Sequence, residues 1–252
     1  MIGSISLLQL VVSVIALFVG STVFSTVGFG IGVTSIPILL LVFDPQTVVV
    51  MVNAVTIPLL VLVIFQTRHY IHLRRTVPIA IAGLLGMPIG VLFLSSADAG
   101  VLRISITAVI IALALLLALN PNVAERSVPM PHVTGPVIGF VVSIMLNSLG
   151  IGGPLIALFA LTQSWHRHSI RGTLALYFLV VEGAGVVGFA VAGLFTMERA
   201  VLTGIIALPV GLGFWLAVLL HRHINETLFR RLAIVVIILT SLLVLGRELS
   251  QL

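Results

Sequence analysis

Apolar residues run along the chain in ten segments, and short polar breaks separate them. The segments cover 5–27, 31–43, 47–65, 77–94, 101–119, 133–149, 154–162, 173–195, 200–220 and 228–245. A helix that spans the hydrocarbon core of a bilayer needs about 20 mostly apolar residues, and several of these segments have that length. The pattern therefore predicts an all-α polytopic membrane protein.

The second half of the chain repeats features of the first half. The run GFGIG at 28–32 is matched by GIGGP at 150–154, and GMPIG at 86–90 is matched by ALPVG at 207–211. Each glycine cluster lies between a longer apolar segment and a short one. We therefore predict a unit of about five helical segments used twice, with a first repeat at 1–119, a cytoplasmic linker at 120–132 and a second repeat at 133–252.

The composition agrees with a chain that lies mostly in lipid. Hydrophobic residues make up 60% and charged residues only 8%, whereas soluble domains carry roughly 25% charged residues. The loops are too short for a soluble catalytic domain. The absence of cysteine excludes disulfides, thiolate metal sites and a cysteine nucleophile.

Every cation is an arginine, and the arginines lie in short loops. Membrane proteins keep such residues on the cytoplasmic side, so we place 68–75, 120–132, 164–171 and 221–231 inside and the loops at Asp44 and Asp98 outside. Equivalent loops of the two halves then face opposite sides, which predicts an inverted-topology repeat in the inner or plasma membrane. The short second segment of each half either spans or re-enters, and we favour hairpins or broken helices.

The two glycine clusters are the first candidates for a binding site. Glycine weakens a helix by roughly 1 kcal/mol relative to alanine, and unwound backbone in a membrane lines a cavity or is buried in protein. The helix that follows each cluster begins with free N–H groups, which favour an anion. The candidate substrate-binding glycines are Gly28, Gly30, Gly32, Gly150, Gly152 and Gly153. The alternative is close helix packing through small residues.

These motifs resemble the TauE/SafE family of sulfite exporters. The resemblance rests on the first glycine cluster followed by Pro37, and on the second cluster followed by SIRGT at 169–173. It covers nearly the whole chain, although Gly30-Ile31-Gly32 stands where the family commonly has three consecutive glycines. The resemblance implies export or uptake of a small sulfur-containing or organic anion, such as sulfite or a sulfonate.

Polar side chains near the clusters are further candidates for binding substrate. Hydroxyl and amide groups can donate hydrogen bonds to sulfite or sulfonate oxygens, and a guanidinium fork suits a tetrahedral oxyanion. The alternatives are helix–helix hydrogen bonds and, for the arginine, a cytoplasmic topology anchor. These candidates are Thr34, Asn53, Asn147, Ser148 and Arg171.

Glu182 is the acidic residue that lies deep in an apolar segment. An ionised and unpaired carboxylate is costly there, so it pairs, faces a cavity or stays protonated. We single it out as a proton-coupling candidate, with a polar helix interface or pairing to a loop arginine as the alternatives.

The sequence thus predicts a secondary transporter that moves a small anion by alternating access. An anion channel and an intramembrane enzyme are the alternatives, but no catalytic set of paired carboxylates, Ser with His, or metal ligands is evident, so we expect no enzyme. The pairs His166-x-His168 and His221-x-His223 have no acidic or thiol partner. We expect no metal, cofactor or nucleic acid. The expected partners are the anion and the lipid bilayer, and the sequence leaves open whether the chain forms a homo-oligomer.

Overall fold

A computed structural model describes residues 6–27, 30–119, 133–162 and 167–220, together with Val244 and Gly246. Gly28, the predicted linker at 120–132 and nearly all of the predicted tenth segment lie outside the described residues, as do His166, His221 and His223.

In this part of the chain the regular structure is helical, which confirms the predicted fold class. The helices are α1 (Leu7–Val27), α2 (Ile31–Leu39), α3 (Pro45–Thr67), α4 (Leu73–Ser96), α5 (Ala99–Leu119), α6 (Thr134–Leu149), α7 (Gly153–Thr162), α8 (Arg167–Val191) and α9 (Met197–Leu220). Among them α1, α3, α4, α8 and α9 are long and apolar enough to cross a membrane.

The ends of α8 differ from the predicted segment 173–195. The helix begins six residues earlier, at Arg167, because polar residues continue the helix beyond the apolar run. It ends earlier because Gly193 has a φ of 72°. The N–H of Leu194 then donates to Phe189 O at 2.8 Å and that of Gly193 donates to Ala190 O at 3.1 Å, which is the Schellman pattern of a helix C-terminus.

The first hairpin consists of α1 and α2, which run antiparallel. Near its middle, Ser35 Oγ donates to Ala16 O at 2.9 Å. At its open end, Gln9 Nε2 donates to Val42 O at 3.0 Å. The beginning of α1 and the end of α2 therefore lie at the same end of the bundle, and the turn between them lies inside it.

The second hairpin consists of α6 and α7. A Cβ on Gly152 would lie 2.8 Å from Val142 Cγ1, and one on Gly135 would lie 3.3 Å from the ring of Phe159. The beginning of α6 and the end of α7 are therefore neighbours. Each glycine cluster thus lies at the turn of a helical hairpin, one of the two forms that the sequence favoured, and re-entry into a membrane stays a prediction.

The two hairpins enter the bundle from opposite ends. At one end, which we call the Asp44 end, Arg199 Nη2 lies 3.4 Å from Asp44 Oδ1, and Gln46 Nε2 donates to Leu94 O at 3.0 Å. At the other, the Arg68 end, the rings of Tyr70 and His168 stack at 5.0 Å. The first hairpin opens at the Asp44 end because α3 follows it directly. The second opens at the Arg68 end because α8 follows it.

The helix packing pairs correspond between the two halves. Helix α4 packs against α6 and α1 against α9, while α4 contacts α8 and α3 contacts α9. If α1, α3 and α4 correspond to α6, α8 and α9, the pair α4–α6 corresponds to α9–α1, and the pair α4–α8 corresponds to α9–α3. The pair α3–α8 corresponds to itself. The domain bounds and the inverted topology stay predictions, but this packing places the first hairpin beside α3 and the second beside both α3 and α8.

Candidate functional site

The turns of the two hairpins meet inside the bundle. The carbonyl oxygen of Gly150 stands in the space that a Cβ on Gly32 would need, and Ile36 Cδ1 lies 2.5 Å from the position of a Cβ on Gly150. Two stretches of main chain that enter from opposite ends are therefore in direct contact. The absence of side chains at Gly32 and Gly150 is what allows this approach.

A small cavity lies where the hairpin turns meet. Its volume is about 30 Å³, which is room for about two water molecules. Both glycine breaks contribute to its wall, and so do α1, α3, α6 and α8: the lining residues are Phe24, Gly30, Ile31, Gly32, Val33, Val52, Asn53, Thr56, Leu146, Gly150, Ile151, Gly152, Gly153, Phe178 and Glu182.

Only part of each glycine cluster is unwound. Gly30, with a φ of 104°, precedes α2, and Gly150, with a φ of 72°, follows α6. Both angles lie in the left-handed region that glycine adopts most readily. Gly32, by contrast, lies in the first turn of α2, and Gly153 begins α7. These two positions are helical, and Gly32 serves the close approach to the other hairpin.

Main-chain N–H groups face the cavity from both breaks. In α2 the first helical hydrogen bond runs from Thr34 N to Gly30 O at 3.1 Å, so the preceding amides have no acceptor within the helix. In α7 the corresponding bond runs from Ile156 N to Gly152 O at 3.4 Å. The positive ends of two helix dipoles thus point into one cavity, an arrangement that favours an anion.

The hydroxyl groups predicted to bind substrate donate to main-chain carbonyl oxygens of their own helices. Thr34 Oγ1 donates to Gly30 O at 2.9 Å and Ser148 Oγ to Ile144 O at 2.6 Å. Each of these hydroxyl groups thus bonds the carbonyl four residues earlier in the chain. Neither side chain belongs to the cavity wall, so their role in binding substrate stays a prediction.

The two predicted asparagines also donate to main-chain carbonyls. Asn53 Nδ2 donates to Val49 O at 2.9 Å and to Leu146 O at 3.3 Å, which joins α3 to the second hairpin. Asn147 Nδ2 donates to Ser143 O at 2.9 Å. Asn53 lies in the cavity wall and Asn147 lies outside it. The hydroxyl and amide donors expected from the sequence are therefore already used within the protein.

Glu182 reaches the cavity from α8. Its side chain is 5% exposed, and Oε2 is buried with no hydrogen-bond partner among the described residues. The structure thus supports the cavity-facing alternative over pairing with a loop arginine. Sequence analysis missed Phe178, which also lines the cavity. The spacing of four residues from Glu182 would have placed it on the same helix face.

Arg171 lies away from the cavity. It is in the second turn of α8, about 16 Å along the helix axis from Glu182. The adjacent Gly172 packs against Ile71 and Thr67, so this turn is at the Arg68 end. Nε and Nη2 of Arg171 are buried and have no hydrogen-bond partner in the part of the chain that the structure describes. The structure therefore does not bring Arg171 together with the glycine breaks.

A second cavity, of about 240 Å³, lies at the Asp44 end and is lined by residues 40–44, Arg103 and Val244. It is the larger of the two, but it contains neither glycine break nor the buried carboxyl group of Glu182. We therefore take the cavity between the hairpins as the candidate functional site.

A family model described as Sulfite exporter TauE/SafE matches residues 12–244 of the 252-residue chain. The match includes the second hairpin, all but the first five residues of the first hairpin, and every residue that lines the cavity between them. Comparison with curated proteins and with solved structures gives no match.

Proposed function

The chain belongs to the TauE/SafE family of sulfite exporters, and on that premise we propose that it is a secondary transporter of a small anion. The substrate is sulfite, an organosulfonate or a related sulfur-containing or organic anion, and the membrane is the inner or plasma membrane of the cell. Transport proceeds by alternating access. Membership of a transporter family supports this function over an intramembrane enzyme.

The observation that carries the proposal is the convergence of two helix N-termini on one cavity. The amides before Thr34 in α2 and those of Gly153 and Leu155 in α7 supply hydrogen-bond donors without supplying a fixed positive side chain; Pro154 has no N–H to contribute. Such donors bind an oxyanion and still release it, which a carrier requires. The substrate site therefore comprises Gly30, Gly32, Gly150, Gly152 and Gly153, with Asn53 at its wall.

Alternating access follows from the way in which the hairpins enter. The first hairpin separates the cavity from the Asp44 end, and the second separates it from the Arg68 end. In the proposed cycle one hairpin shifts against its neighbouring helices to admit substrate from one end, and the other hairpin shifts to release it at the opposite end. The matching packing pairs of the two halves support inverted repeats at 1–119 and 133–252 that exchange these roles.

We assign the coupling of anion transport to an ion gradient to Glu182. A buried carboxylate that faces the anion site repels an anion unless the carboxylate is neutralised. Neutralisation by a cation, in the simplest case a proton, would therefore accompany anion binding, and release of that cation would accompany anion release. Arg171 would act earlier, as an anion-attracting group between the Arg68 end and the cavity.

A counterflow assay with purified protein in liposomes tests the proposal. Liposomes loaded with unlabelled sulfite should accumulate labelled sulfite transiently, and the same assay with sulfonates, thiosulfate and carboxylates ranks the substrates. Protein-free liposomes are the control. Absence of counterflow for every anion of the panel would contradict a carrier, and single-channel currents under the same conditions would favour an anion channel.

A further inference from the structure

The buried polar groups beside the cavity have an excess of acceptors. Asn147 Oδ1 and Glu182 Oε2 are both buried without a hydrogen-bond partner in the described ranges. Their side chains are 0% and 5% exposed. An acceptor buried without a donor costs free energy, so two of them in one region require an explanation.

The orientation of the Asn147 amide is fixed by its own hydrogen bond. Nδ2 lies 2.9 Å from Ser143 O, and a carbonyl oxygen can only accept. Exchanging the amide oxygen and nitrogen would place two acceptors against each other. Oδ1 is therefore the atom that has no partner, and it points away from α6.

Asn147 Oδ1 and Glu182 belong to one place in the fold. Oδ1 contacts α8 at Gly185, where it stands in the space that a Cβ would need. Residues three apart on a helix lie on the same face, with Cβ atoms about 5–6 Å apart. The carboxyl group of Glu182 is therefore within side-chain reach of this oxygen.

Two more sources of acceptor oxygens surround the same place. Helix α6 ends at Leu149. Leu146 O already accepts from Gly150 N at 2.9 Å, but the carbonyls that follow it have no donor within the helix and carry the negative end of its dipole. Asn53 is in the cavity wall, and both of its hydrogen bonds are donated by Nδ2. Its amide oxygen is consequently also available.

We propose that Asn147 Oδ1, the Glu182 carboxylate and the carbonyls at the end of α6 bind a monovalent cation, Na⁺, beside the anion site. A cation with several oxygen ligands satisfies all of these acceptors, whereas a single proton satisfies one pair. Oxygen-only sites suit hard cations. The positive charge also permits an anion to bind next to Glu182. This inference rests on the proposed function for the role of the ion, which couples Na⁺ to the anion.

Direct binding of ²²Na⁺ to the purified protein in detergent tests the site without any transport step. Wild-type protein should bind ²²Na⁺ saturably, and excess unlabelled Na⁺ should displace it while choline should not. The Glu182→Gln and Asn147→Ala variants should weaken this binding at least about tenfold, the lower range of cation-site substitutions. Gly183→Ala is the matched control, because a Cβ there meets no atom within 4 Å.

A second variant separates loss of the ligand from loss of the fold. Asn147→Asp keeps an oxygen in place of Oδ1 and should retain ²²Na⁺ binding even if Asn147→Ala does not fold. Wild-type protein that binds no ²²Na⁺ above the choline background would overturn the cation site. Binding that Glu182→Gln and Asn147→Ala leave unchanged would overturn it as well.

The outcomes for the ion and for transport are independent. Sulfite counterflow that proceeds equally in Na⁺ and in choline would overturn the coupling role of Na⁺ and leave the carrier intact, with a proton as the coupling ion. Saturable ²²Na⁺ binding without counterflow of any anion would support the site and contradict the carrier. If both hold, Na⁺ should increase the apparent affinity for the anion at least about fivefold, as for ordinary coupling between sites.

Discussion

The carbonyl oxygen of Gly150 fills the space in which a Cβ on Gly32 would lie. This contact joins two hairpins that enter from opposite ends of the bundle, and it lies at the wall of the cavity that holds Glu182. Neither hairpin can move at its turn without changing the contact. The packing of Gly32 against Gly150 therefore couples the two halves at the candidate site.

Substitution of Gly32 tests this contact. Gly32→Ala should lower sulfite counterflow at least tenfold, because the new Cβ meets main chain that has no rotamer to change. The substitution raises helix propensity by roughly 1 kcal/mol, so a loss of flux would not come from a weaker α2. Counterflow in liposomes, normalised to inserted protein, is the measurement.

Gly183→Ala on α8 is the control for Gly32→Ala, since a Cβ at Gly183 lies in open space. It should retain wild-type flux. Equal flux in both variants would mean that the hairpin contact is irrelevant to transport.

Substitution of Glu182 should separate the exchange of anions across the membrane from the coupling of anion transport to an ion gradient. In Glu182→Gln the carboxamide is always neutral, so the anion can bind but no longer brings a coupling ion with it. Counterflow should persist, while accumulation against a concentration gradient should disappear. Asp98→Asn, an exposed acid at the Asp44 end, should retain both activities. Uphill accumulation by Glu182→Gln would remove Glu182 from coupling.

Arg171 should show opposite effects on stability and on flux. The Arg171 side chain is partly buried, and its buried Nε and Nη2 have no hydrogen-bond partner among the described residues, so their desolvation costs free energy. Arg171→Met should therefore raise the unfolding temperature. The same change should slow sulfite entry from the Arg68 end, because the attracting charge is gone. A thermal unfolding scan in detergent and a flux assay give the two values.

Arg74→Met removes an exposed arginine at the same end and should change neither value. If Arg171→Met lowered the unfolding temperature and left flux unchanged, Arg171 would be a topology anchor.

Arg199 should contribute more to stability than its partner Asp44. The ion pair is 3.4 Å long and the Asp44 side chain is 50% exposed, so the pair itself contributes about 0–1 kcal/mol. Asp44 also caps α3 through Thr47 N at 2.9 Å, and asparagine can replace it there. Asp44→Asn should therefore lower the free energy of unfolding by less than about 1 kcal/mol.

Arg199→Ala removes two further hydrogen bonds, from Nη1 to Leu194 O at 2.7 Å and from Nε to Thr47 Oγ1 at 2.8 Å. Hydrogen bonds from a charged donor contribute about 1.5–3 kcal/mol, so this variant should be clearly less stable than Asp44→Asn. Denaturant titration of both variants in detergent is the measurement. The reverse order would show that the ion pair dominates.

The hairpins could be predicted from the sequence because glycine acts locally. Gly30 and Gly150 adopt positive φ angles that other residues rarely adopt, and each stands where an apolar run is interrupted. The repeated motif also made it reasonable to expect that the two breaks meet. The membrane character followed from composition in the same way, since hydrocarbon admits few charges.

The directions of side chains could not be predicted in this way. Thr34 and Ser148 each lie near a glycine break, but their hydroxyl groups bond carbonyls of the preceding turn. Arg171 lies in the helix that follows the second break, yet the start of α8 at Arg167 places it about three turns from Glu182. Sequence proximity to a break does not determine which way a helix face points, because that depends on where each helix begins.

Labelling of single cysteines tests the opposite entry of the hairpins. The chain has no cysteine, so each variant reports one position. Asp98 belongs to the Asp44 end, whereas His69 and His168 lie at the Arg68 end, and all three are exposed. Because arginine-rich loops stay in the cytoplasm, a membrane-impermeant maleimide should label Asp98→Cys in intact cells. It should label His69→Cys and His168→Cys only after the membrane is opened.

Residues His69 and His168 make this test specific for the inverted arrangement. His69 precedes α4 in the first half, and His168 begins α8 in the second half, directly after the second hairpin. If α6 and α7 together formed one broken transmembrane span instead of a hairpin, the segments after them would be displaced to the opposite side. His168→Cys would then be labelled in intact cells while His69→Cys was not. Protection of both positions together is the result that only a hairpin opening at the Arg68 end produces.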